Sequence, residues 1–99
     1  MQKTILVLIA VMLMTGCARS NQFTPKPEMT GKQIFSVTCI ECHKPHGKYV
    51  MVLDADMKDV DKIANQVLTG SMSMPSYPNI QGEPARRLAE YVLENSRFD

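Results

Sequence analysis

Five consecutive residues, Cys39-Ile40-Glu41-Cys42-His43, restrict this chain more than anything else in it. Two thiols three positions apart lie on one side of a helical turn, and the next residue projects an imidazole beside them. C-x-x-C-H is the pattern of covalent haem attachment: each thiol forms a thioether with one vinyl group, and the histidine is the proximal iron ligand. Cys39 and Cys42 are thus the expected attachment points of one haem c, with His43 on its iron. Other chemistries use some of the same residues. A thioredoxin-type dithiol wants a βαβ setting, which the pattern of this chain lacks. A zinc site from Cys39, Cys42, His43 and His46 would crowd its ligands into one short stretch, with two of them consecutive. A plain disulfide leaves His43 unexplained.

Length supports the cofactor reading. The 99 residues make one small domain, with no Trp, three Phe and three Tyr. Domains of this size bury a modest share of their surface and often depend on a staple or cofactor. A large apolar macrocycle would fill an otherwise thin core. The formal net charge of +1, with no Lys/Arg-rich run, argues against a nucleic-acid partner.

Residues 1–16 read as a sorting signal. Lys3 precedes an apolar run at 5–14, which is about half the ~20 residues a membrane-spanning helix needs. Met14-Thr15-Gly16-Cys17 resembles the bacterial lipobox, which makes Cys17 the expected lipidated first residue of the mature chain. Ordinary cleavage near Ala18 is the other reading. Lipidation of Cys17 would also leave Cys39 and Cys42 as an even pair in an oxidising compartment. The implied place is the periplasmic side of a membrane, with Ala18 in place of Asp favouring the outer membrane. Residues 17–28 are polar with Pro25 and Pro27, an extended tether; residues 29–99 form the folded domain.

Three helices are expected. The first covers 30–42, with Thr30 as N-cap. The second covers 60–70: Val60, Ile63, Ala64, Val67 and Leu68 keep helical spacing, with Asp59 and Asp61 at the start and Gly70 as the stop. The third covers 83–96, with Pro84 in its first turn and Ala85, Leu88, Ala89 and Val92 on one stripe. The apolar run 49–53 could be a strand but has no obvious partner. The fold class is therefore all-α.

Met51, Met57, Met72, Met74 and His46 carry lone pairs that could occupy the iron's sixth position. Over residues 31–92 the chain resembles the class I cytochromes c of bacteria. Gly31 and Phe35 match the Gly and aromatic that precede C-x-x-C-H. Met74-Pro75, followed by Tyr77, resembles the distal Met-Pro motif, and Leu88-Ala89-Glu90-Tyr91-Val92 the final helix. The resemblance implies the cytochrome c fold, three main helices and loops wrapped around one haem. It implies Met74 as the second axial ligand, and a helix crossing of Gly31 against Leu88, Tyr91 and Val92.

A filled sixth site leaves no room for a small-molecule substrate, so the expected role is carriage of single electrons between redox protein partners rather than catalysis. Apolar wrapping by Val37, Val50, Val52, Leu53, Val67, Leu68 and Leu88 would raise the reduction potential by disfavouring the ferric charge. Lys44 and Lys48 offer positive charge for docking. The alternatives are a haem-based sensor or small-ligand enzyme with an open sixth site, and a fixed cytochrome subunit of a larger respiratory oxidoreductase.

Overall fold

The computed structural model describes residues 20–99. The signal at 1–16 and Cys17 lie outside the described residues. Among those described, no helix is long and apolar enough to cross a membrane.

The first helix, α1, spans Gly31–Thr38. It starts in a capping box: Thr30 Oγ1 accepts from the Gln33 N–H at 3.1 Å, and Gln33 Oε1 accepts from the Thr30 N–H at 2.9 Å. Its inner face buries Ile34 and Phe35. The helix was expected to run through Cys42 but stops four residues earlier. Cys39–Glu41 instead tightens into a 3₁₀ turn, closed by the Cys42 and His43 N–H groups on the Cys39 carbonyl at 3.3 and 2.9 Å. Thr38 contributes to that ending. Its hydroxyl turns back onto the Ile34 carbonyl at 2.6 Å, satisfying a buried polar group with a bond that competes with regular helix.

Strand β1 (Val52–Leu53) pairs in parallel with β2 (Arg97–Phe98), in the register Val52↔Arg97 and Leu53↔Phe98. The run at 49–53 therefore does have a partner, which sequence alone did not reveal. A two-residue strand at the chain's other end carries no alternation to recognise. The Arg97 and Asp99 N–H groups bond the Met51 and Leu53 carbonyls at 3.0 Å each and hold the segment in place.

Helix α2 spans Val60–Thr69, with Asp59 as N-cap accepting from the Asp61 and Lys62 N–H groups at 2.8 and 3.1 Å. Helix α3 spans Gly82–Asn95 and buries Ala85, Leu88, Ala89 and Val92. Exposed Arg86 pairs with Glu83 and Glu90 at 2.7 and 2.9 Å, contacts that add little to stability at a wet surface.

Helix α3 packs on both α1 and α2. It meets α1 at Gly31, as the resemblance implied: a Cβ there would overlap the Arg87 carbonyl oxygen and come within 2.8 Å of Tyr91 Cβ. This close approach lets the Phe35 and Tyr91 rings stack, with centroids 5.6 Å apart and an interplanar angle of 8°. Ile34, Ile80 and Leu88 are the most deeply buried large side chains.

The segment expected as a tether carries no helix, yet from residue 20 it lies against the domain. Phe23 packs on the core, Pro25 is buried, and Arg87 bonds the Pro27 and Met29 carbonyls at 2.7 and 3.0 Å.

Candidate functional site

A cavity of about 590 Å³ opens between the 3₁₀ turn, β1, α2 and the loop that follows α2. Thr38, Cys39, Cys42 and His43 form one wall, and Met51, Val52 and Leu53 a second. Ile63, Gln66 and Val67 come from α2, and Ser71, Ser73, Met74, Pro75 and Tyr77 from the loop. The walls have different origins, two local and one long-range. The 3₁₀ turn brings both thiols and the imidazole to one side. The α2 stripe turns Ile63 and Val67 inward, and the β1–β2 pairing fixes the Met51–Leu53 backbone.

Cys39, Cys42, His43 and Met74, far apart in sequence, thus line one space. Met72 does not: it is 99% exposed on the outer side of its loop. Met51 and Met57 line the cavity as packing residues, and His46 stands outside it. Among the described residues no three His, Cys, Asp or Glu side chains cluster as a metal site, so the zinc arrangement does not form. Cys39 is buried and Cys42 exposed, and no disulfide joins them.

The size falls within the roughly 300–1,000 Å³ of cofactor pockets, and the lining fits a covalently held macrocycle. It combines two thiols, one imidazole, one thioether and otherwise mostly apolar surface. A family model described as "Cytochrome C oxidase, cbb3-type, subunit III" matches residues 26–92, well over half the chain. The chain belongs to the cytochrome c family. It is also 30% identical, over 105 residues, to cytochrome c6 of Cyanidium caldarium, covering 97% of this chain and 96% of that one. No solved structure matches it. The fold is the small all-α cytochrome c fold, and the cofactor is one covalently bound haem c.

Electrostatics in the cytochrome's cavity suit its residues. Partial burial pushes the His43 imidazole below its usual pKa, which favours the neutral form with a free lone pair. Burial raises the Cys39 thiol, opposed by a Thr38 hydroxyl 3.2 Å from its sulfur. Burial also raises the Tyr77 phenol, so its hydroxyl stays a donor. It reaches the Thr38 carbonyl at a long 3.4 Å and ties the distal loop to the attachment turn.

Val37 and Leu68 were placed around the cofactor but are 55% and 38% exposed, because both sit off the inner stripe of their helices. Val50 packs on the core, and Leu88 is buried between helices; neither lines the cavity. Gln66 was missed. Its amide donates to Met74 Sδ at 3.6 Å, from a position that reads as an ordinary polar residue of an amphipathic helix.

Gly70 does more than stop the helix. It has φ +67° and ψ −165°, and a Cβ there would lie 2.7 Å from both the Met74 carbonyl oxygen and the Ser76 nitrogen. The loop folds back over it, with the Ser71 N–H on the Met74 carbonyl and the Tyr77 N–H on the Val67 carbonyl, each at 2.8 Å. Gly70→Ala would impose a backbone cost of roughly 1–3 kcal/mol and push the Met74 loop outward. The expected result is a melting midpoint lower by about 5 °C or more, measured by thermal unfolding followed by circular dichroism.

Proposed function

We propose that this cytochrome carries single electrons between redox proteins on the periplasmic side of a membrane. In this reading Cys39 and Cys42 hold the haem through thioethers, His43 and Met74 are its axial ligands, and Cys17 carries the lipid anchor. The observation that carries the ligand assignment is that His43 and Met74 line the same cavity as both thiols, whereas Met72 points to solvent. Bound haem supplies an iron that changes between ferric and ferrous states.

The chain's own residues set the conditions for that change. The neutral sulfur of Met74 and the apolar walls at Val52, Leu53, Ile63 and Val67 favour the less charged ferrous state and a positive potential. The Gln66 amide, donating to the Met74 sulfur, draws electron density from it and works in the same direction. A filled sixth position and packed walls keep substrates and water from the metal. Cys42 is exposed, so the attachment side reaches the surface beside exposed Lys44 and Lys48. These lysines would steer an acidic partner toward that edge.

The matched family description, which names an oxidase subunit, favours one second reading: a fixed cytochrome subunit of a respiratory complex. Its mark would be co-purification with that complex from native membranes.

The test is the visible spectrum of the holoprotein, oxidised and reduced, with haem staining after denaturing electrophoresis. Haem that stays with the chain, sharp reduced bands and a weak far-red methionine–iron band are expected. A high-spin ferric spectrum with ready carbon monoxide binding on reduction would replace the carrier by a sensor or small-ligand enzyme.

A further inference from the structure

We infer that residues 20–25 form a rigid mount which holds the loop bearing Met72 and Met74 against a lipid surface. The inference rests on the proposed lipidation of Cys17. A free tether over residues 17–28 would let the domain range on the order of 35–40 Å from its anchor, at ~3.4 Å per extended residue. The structure shortens that leash. Ser20 forms a parallel bridge with Ser76, and the Asn21 N–H donates to the Ser76 carbonyl at 2.8 Å. Asn79 Nδ2 donates to the Gln22 carbonyl at 3.0 Å, Phe23 packs on the core and Pro25 is buried.

Only Ala18 and Arg19 then separate Cys17 from a docked residue. Three residue steps reach at most about 11 Å. The docking point, Ser76, lies two residues beyond Met74. Ahead of it the chain turns back on itself through the Ser71–Met74 hydrogen bond, leaving Met72 on the outside at 99% exposure. A lipid on Cys17 therefore brings a fully exposed apolar side chain within reach of the bilayer interface, where its burial is favourable. Charge points the same way by a small margin: residues 17–28 carry Arg19 and Lys26 against one acidic residue, Glu28, which leaves net positive charge for anionic headgroups.

The test uses the full-length lipidated holoprotein on phosphatidylethanolamine/phosphatidylglycerol vesicles doped with a headgroup nitroxide lipid. A fluorophore is attached at Met72→Cys or, in a separate protein, at Glu94→Cys. Glu94 is exposed and lies about 18 Å along α3 from Gly82. Quenching several-fold stronger at position 72 is expected. It should fall severalfold when Asn21→Pro and Asn79→Ala release the mount, with vesicle flotation and the visible spectrum unchanged. Lipid on Cys17 with equal quenching at both positions, or quenching at 72 that survives release, overturns the mount and leaves the anchor intact. An N-terminal peptide without lipid, together with no flotation, overturns the anchor and the mount with it.

Discussion

Met74→Ala is expected to abolish the far-red methionine–iron band, turn the ferric spectrum high-spin and lower the reduction potential by on the order of 100 mV or more. The scale follows from one-electron chemistry, where each tenfold change in the relative stability of the two oxidation states is worth about 59 mV. A thioether favours ferrous iron, and its loss admits water to the position it held. The cavity supports this. Met74 lines it directly, the Gln66 amide is directed at its sulfur, and Gly70 lets the loop pack close enough to deliver it. Potentiometric titration and the ferric spectrum are the measurements. Met72→Ala is the control: its side chain is solvent-exposed, and both readouts should match the parent. A band that survives Met74→Ala and disappears in Met72→Ala would transfer the ligand role.

Gly31→Val is expected to destabilise the holoprotein by about 3 kcal/mol or more, near the upper end for overpacking. For a domain of this size that lowers the melting midpoint by at least about 12 °C. Even the first added carbon would overlap the Arg87 carbonyl, a backbone atom that cannot rotate away. The helices would have to separate, pulling apart the Phe35–Tyr91 stack and the apolar seam around Ile34 and Leu88. Gly31→Ala should cost less but fall in the same direction, because alanine recovers up to about 1 kcal/mol of helix propensity. Thermal unfolding followed by far-ultraviolet circular dichroism checks both, and an unchanged midpoint would contradict the crossing. The haem remains covalently attached, so the effect reads as loss of packing rather than loss of cofactor.

Much of this protein was legible from local pattern. The helices around Val60–Thr69 and Gly82–Asn95 declare themselves through apolar spacing, an acidic start, Pro84 and a glycine stop, all interactions within one or two turns. The attachment motif is legible for the same reason: two thioethers and an axial imidazole need their residues at short fixed spacing. The Met-Pro segment became legible only by resemblance, since nothing within it says which of two neighbouring methionines turns inward.

Tertiary structure decided what depends on distant partners. The inward placement of Met74 over Met72 comes from a loop folded back on Gly70, which local propensity does not encode. The strand at Val52–Leu53 exists because Arg97–Phe98 lies alongside it, and a two-residue parallel pair leaves no periodicity to read. The polar, proline-containing segment after Cys17 reads as tether by composition, but Asn21, Gln22 and Phe23 find partners at Ser76, Asn79 and the core. Sequence by itself determined the two later helices and the C-x-x-C-H motif, because both are built from neighbours along the chain. Which methionine turns into the cavity, and how closely residues 20–25 lie against the domain, are set by contacts between residues that only folding brings together.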